Sequence, residues 1–175
     1  ATLGFNVTLP DDAFDQVIGD FDDATANTWT ATGDFANPAG ADAWQGTSGE
    51  ARVGLRAVST CELNNNANGC DAPTGTLTSP GFTVDAARPY LNFLMGGGNG
   101  AAPVGLRVLD MGGTELASFT PNSCGTSFIN GDDDWVSIDL SAQAGNMVQV
   151  EVFDNEPGGC GFVSWDHVHM SATAK

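Results

Sequence analysis

Positive charge is nearly missing from this sequence. Five basic side chains (Arg52, Arg56, Arg88, Arg107 and Lys175) stand against 22 acidic ones, for a formal charge of −17 over 175 residues. Polyanions are held by cationic surfaces that release their counterions. The charge therefore argues against nucleic acid as a partner, and an anionic membrane surface falls with it. Histidine is scarce as well, with only His167 and His169, and no C-x-x-C pair occurs among the four cysteines, which argues against zinc. No G-x-S-x-G turn is present, and no histidine lies near a candidate nucleophile. No apolar run approaches the length of a membrane span, and the opening ATLGFNVTLP does not read as a signal peptide. The expectation is a mature secreted protein, or a module excised from one.

Helical periodicity is also nearly absent. In its place, apolar or alternating runs of roughly five to seven residues recur between Gly, Asn, Asp and Pro. Eleven candidate strands follow: 19–21, 28–32, 52–58, 75–77, 81–84, 90–95, 104–110, 115–120, 135–139, 147–153 and 165–170. So many short strands in one chain of this length predict an all-β fold, a two-sheet antiparallel β-sandwich of jelly-roll type. Residues 1–15 read as a linker end or an N-terminal strand, and 16–175 as one sandwich domain. SAQAGN, after WVSIDL, reads as a turn with at most one helical turn.

Alternation assigns faces to the strands. Leu91, Phe93 and Met95 share one side, with Tyr90, Asn92 and Leu94 opposite. Arg56, Arg107, Gln149 and Glu151 likewise sit opposite the apolar positions of their own strands. If these four strands form one sheet, its outer face carries Arg56, Asn92, Arg107, Gln149 and Glu151. The plain reading is a solvated face on which Arg56 or Arg107 pairs with Glu151 across strands. The sharper one is a face that hydrogen-bonds the hydroxyls of a sugar through guanidinium, amide and carboxylate groups. Trp44, Trp29 and Tyr90 are candidate stacking platforms, Trp135 reads as core, and Trp165 as core edge or surface. His167 and His169 read as surface residues.

The Asp-rich composition, 17 Asp to five Glu, suits divalent cations or a saline environment. In the last strand Asp166 shares its side with Val168 and Met170, so its carboxylate is expected to point inward. A buried carboxylate needs a partner or a metal. Asp20, Asp22 and Asp166 are therefore the expected ligands of a structural calcium ion joining the first and last strands. No EF-hand spacing is present, and GDDDW at 131–135 reads as a solvated turn. Four cysteines allow three connectivities; Cys61–Cys70 with Cys124–Cys160 is the expected one, and disulfides imply an oxidising compartment. A glycosidase needs two placed carboxyl groups, and the acidic residues single out no pair.

Several segments resemble, in order, the β-sandwich modules attached to family 32 glycoside hydrolases, the levanases and other β-fructosidases. They are GDFDDATANTWTATGDFA at the start, then TGTLTSPGFTV, RPYLNFLMGGGN and VGLRVLD, and last 135–171, with DNEPGG among the most specific parts. The resemblance covers Gly19 to Ser171. It departs at Cys61–Asp71, in both cysteine pairs, and at GGCGF (158–162). It implies a non-catalytic, calcium-stabilised carbohydrate-binding module of jelly-roll fold. Such a module would be monomeric, covalently part of a larger secreted polysaccharide-degrading enzyme, and aimed at a fructan or a marine polysaccharide. The triple glycine Gly96–Gly98 and the DNEPGG turn would then leave room at one rim for a terminal sugar held by Asn99, Asp154, Asn155 and Glu156. Two other readings stand beside this one. One is a small jelly-roll lyase or glycosidase using Arg56, Arg107 and Glu151; the other is a calcium-stiffened structural or adhesion domain.

Overall fold

The structure, a computed structural model, describes residues 15–19, 21, 28–36, 47–48, 56–60, 71–98, 103–122 and 135–175. Among these it forms twelve strands: β1 (Gln16–Gly19), β2 (Thr30–Gly33), β3 (Thr47–Ser48), β4 (Arg56–Ser59), β5 (Gly75–Thr78), β6 (Phe82–Thr83), β7 (Tyr90–Gly97), β8 (Val104–Asp110), β9 (Glu115–Phe119), β10 (Trp135–Asp139), β11 (Met147–Asp154) and β12 (Val163–Ser171). SAQ at Ser141–Gln143 is a 3-10 turn. The strands make two six-stranded antiparallel sheets. Sheet A runs β10-β7-β12-β4-β3 with β1 also on β12; sheet B runs β2-β5-β11-β8-β9 with β6 also on β11. From β7 onward the chain crosses between the sheets at every connection except β8 to β9, which is a hairpin within sheet B.

Period-two burial builds the core. Val148, Val150 and Val152 of β11 and Leu106 and Val108 of β8 face Leu91, Phe93 and Met95 of β7 and Val163, Trp165, Val168 and Met170 of β12. All are at most 1% exposed, and each such side chain contributes about 1.5–3 kcal/mol by leaving water. Trp165 is the centrepiece: Phe21 meets it edge-on at 6.1 Å and Phe35 stacks on it at 6.4 Å. Trp29 joins the same cluster, so it offers no stacking platform. Trp135, read as core, is half-buried on the face away from the core, while its neighbours Val136 and Ile138 pack inward.

The four strands expected to share a sheet do not. β4 and β7 belong to sheet A, β8 and β11 to sheet B. Alternation dictates which face a side chain takes, but only connectivity decides which sheet a strand joins. Arg56 and Asn92 are therefore on the opposite layer from Arg107 and Glu151.

A β-bulge in β12 corrects the reading of Asp166. The register runs Asp166↔Leu94 and then His169↔Asn92, so three steps on β12 oppose two on β7, and His167 takes φ 48°. The extra residue reverses the alternation. Trp165 before it and Val168 after it both face the core, while Asp166 lies on Leu94's side, away from Val168 and Met170. Its carboxylate is nonetheless fully buried. His169, expected at the surface, is also fully buried, 3.3 Å from the Asp15 carboxylate and edge-on to Trp135 at 5.2 Å.

The triple glycine is a device for close strand approach. At Gly97 (φ 99°) a Cβ would stand 2.2 Å from the Phe162 carbonyl oxygen, and at Gly98 (φ 58°) 2.6 Å from that of Pro121. The Gly98 N–H donates to the Phe162 carbonyl at 2.9 Å. Beside Gly97 and Gly98 the space expected for a sugar is filled by the backbone of the chain itself.

Candidate functional site

On the outer face of sheet B, the one turned from the core, five strands put a polar side chain in the same cross-strand row. The register aligns Thr30 with Thr78, Thr78 with Glu151, Glu151 with Arg107, and Arg107 with Ser118. Neighbouring strands lie about 4.8 Å apart, so the row spans roughly 19 Å. It exists because each strand places its apolar residues inward: Ala31, Leu77, Val150 and Val152, Leu106 and Val108, and Phe119 pack on the core. The intervening positions are then forced outward.

Arg107 and Glu151 form the centre of the row. Arg107 donates from Nε at 2.8 Å and from Nη2 at 2.5 Å to Glu151 Oε1. The Thr78 hydroxyl donates to Oε2 at 2.7 Å. On the other flank Glu115 Oε2 is 4.0 Å from Arg107 Nη1, and Ser118 donates to Glu115 Oε1 at 2.7 Å. The next row holds Thr32, Thr76, Phe153 and Gly105 in register. The two threonine hydroxyls bond each other at 2.8 Å, and the Arg107 guanidinium lies 5.0 Å from the Phe153 ring centroid. The Phe153 ring is itself buried, and at Gly105 a Cβ would stand 2.1 Å from the Phe119 carbonyl oxygen, so glycine there admits the backbone of β9. The result is a hydroxyl-rich strip around one neutralised ion pair and one aromatic ring, suited to hydrogen-bonding a polyol. Thr30, Thr32, Thr76, Thr78 and Ser118 escaped the sequence reading. The alternation in TATG and GTLT carried the signal.

The carboxyls of the DNEPGG turn are arranged differently. Asp154 ends β11 on the same side as Val148, Val150 and Val152 and is fully buried. Burial pushes its carboxyl up to about 7, opposed by bonds from the Glu156 N–H (3.1 Å) and the Thr60 hydroxyl (3.4 Å) and reinforced by the charges of Asp71 and Glu156. Thr60 Oγ1 also accepts the Val163 N–H at 2.9 Å, so this contact links the ends of both sheets. Asn155 is exposed and Glu156 half-buried. Asp154 and Glu151 project from opposite faces of β11, so they do not flank a common point as a glycosidase pair must.

Asn92 is on the outer face as expected, but buried and saturated. Its Nδ2 donates to Ser171 Oγ at 2.6 Å and to the Thr173 carbonyl at 3.0 Å. Its Oδ1 accepts from Ser137 Oγ at 2.6 Å and the Lys175 N–H at 3.4 Å. It therefore fastens the chain's last residues to sheet A and has nothing left for a ligand.

Trp44, Asn99, Asp20, Asp22, Cys61, Cys70 and Cys124 lie outside the described residues, as does the side chain of Arg56. Cys160, the described cysteine, is not a free thiol. Among the described residues no group of three or more His, Cys, Asp or Glu converges as metal ligands. No helix among them is long and apolar enough to cross a membrane.

No family model matches the chain. It is 34% identical over 162 residues, 91% of its length, to ecdE of Aspergillus rugulosus, which is named as a glycosyl hydrolase. The chain spans 21% of that protein. Among solved structures it is similar to two cleaved adhesin domains of Lys-gingipain from Porphyromonas gingivalis. The K3 domain has TM-score 0.49 at 13% identity, with 91% of this chain and 98% of that one covered. The K1 domain has TM-score 0.47 at 15% identity, with 84% and 92% covered. A Caldicellulosiruptor saccharolyticus CBM27 module solved with mannohexaose is similar over 69% of this chain and 84% of that one, at TM-score 0.33 and 12% identity.

Proposed function

We propose that the chain is a non-catalytic carbohydrate-binding module that holds a secreted polysaccharide-degrading enzyme on a fructan or a marine polysaccharide. The observation that carries this is the Thr30–Thr78–Glu151–Arg107–Ser118 row, with Phe153 beneath Arg107, on an outer sheet face. Its hydroxyls both donate and accept, which is what a polyol requires. The ecdE match supports the same reading, since the chain corresponds to a fraction of a much larger protein named for glycan hydrolysis.

A structural calcium ion belongs to this proposal. β1 ends at Gly19 opposite Val168, two residues from the buried carboxylate of Asp166, and Asp20 follows Gly19 in sequence. Asp20, Asp22 and Asp166 would hold the ion and be relieved of their mutual repulsion. Secretion and the pairings Cys61–Cys70 and Cys124–Cys160 complete the proposal.

The test is affinity electrophoresis of the isolated domain in gels of levan, inulin and agarose. Retardation in one of them is expected. Arg107→Ala should weaken it about 10- to 100-fold, the scale of charged hydrogen bonds, with exposed Thr30→Ala as a second variant that leaves the ion pair intact. Migration unchanged in every gel, or retardation untouched by both substitutions, refutes the site.

A further inference from the structure

Resting on that reading, we infer that the sheet B row selects uncharged glycans and rejects sulfated or uronic ones. Among the described side chains the row holds one cation, and its charge is already balanced. Arg107 gives Nε and Nη2 to Glu151, and its Nη1 faces Glu115. One positive group thus stands between two carboxylates.

No other described cation reaches the row. Arg88 lies 4.0 Å from Asp85 in the turn before β7, and Lys175 lies over Trp135 on sheet A. A sulfate or uronate on the remaining Nη donors of Arg107 would sit against the carboxylates of Glu115 and Glu151, and could claim the full charge of the guanidinium only by displacing Glu151. That carboxylate is 12% exposed and would then stand charged and short of its partner. The field of a chain carrying −17 adds repulsion over about 8–10 Å before contact.

The neutral hydroxyls face no such obstacle. Thr30 and Ser118 are exposed at the two ends of the row, and Thr32 is exposed beside it. A neutral chain lying across the strands meets donors and acceptors at each step, and the ion pair offers it polar atoms without net charge. The ion pair is thus a filter: it keeps the guanidinium in place for hydroxyls and withholds it from anions.

The experiment uses polysaccharides whose members differ in charge on one backbone: levan against chemically O-sulfated levan, and agarose against chemically O-sulfated agarose. Affinity electrophoresis is run at 50 and 500 mM NaCl. The expected result is binding to a neutral member at least ten-fold tighter than to its sulfated counterpart, with the gap narrowing at high salt. Glu151→Gln, which frees Arg107, and exposed Glu115→Gln, which leaves the buried pair intact, should each narrow it at low salt. Equal or tighter binding of the sulfated member by the native chain overturns the inference while leaving the glycan-binding reading standing. So does a gap indifferent to salt and to both substitutions, since bulk rather than charge would then set it. Binding to neither member of either pair removes the glycan-binding reading itself.

Discussion

Asp154→Asn should make the domain more stable in mild alkali and change how its stability depends on pH. The native carboxyl is held near 7 by burial, whereas in the unfolded chain it titrates near 3.9. Its folded value is raised, so the native state binds the proton more tightly and stability falls as pH rises between the two values. At 1.36 kcal/mol per unit of differential protonation, going from pH 5 to pH 8 costs the native chain about 2–3 kcal/mol from this group alone. Asparagine keeps an oxygen for the Glu156 N–H and offers its amide to Thr60, but it has no proton to lose. The assay is urea denaturation of both proteins at half-unit steps from pH 5 to 8. Every other carboxyl titrates in both, so the difference between the curves isolates position 154. The variant should gain on the native chain by about 2–3 kcal/mol across that range, with most of the change below pH 7. Parallel curves would refute the claim that the fold holds this carboxyl neutral.

Two further predictions concern the frame. Gly97→Ala should destabilise by about 3 kcal/mol or more, because it combines positive φ with a backbone collision. Gly159→Ala, also at positive φ (61°) but with no described atom within 4 Å of the added Cβ, should cost only about 1–2 kcal/mol; equal losses in urea titrations would remove the steric explanation. Calcium removal by chelator should speed amide exchange in β1 and β12 before the rest of sheets A and B; exchange unaffected by chelator would count against an Asp166 site.

Much of the fold was legible because one face of each strand must be dry. The alternation in YLNFLM, VGLRVLD and MVQVEVF oriented β7, β8 and β11 correctly, including the outward Arg107 and Glu151, and their cross-strand pairing was already a plain reading of the residues. What alternation could not supply was sheet membership, a property of contacts far apart in sequence. Arg56 and Asn92 were grouped with the wrong layer for that reason. The bulge at His167 was hidden too, since SWDHVHM reads as an uninterrupted strand and no glycine marks the break. For Asp154 the signal was present: one more step of the valine alternation at 148, 150 and 152 puts it inside. The glycines and proline of DNEPGG mask that step, because the segment reads as a turn.

The Asn92 clasp has a practical consequence for how the domain can be presented. By fastening Thr173 and Lys175 to sheet A, it fixes the direction in which anything joined after Lys175 departs: from the broad side of the sandwich opposite the Thr–Glu–Arg row. A biotin or linker attached there would anchor the domain to a sensor chip with the row turned outward. A weak ligand in solution could then reach every immobilised copy without the tether in its way.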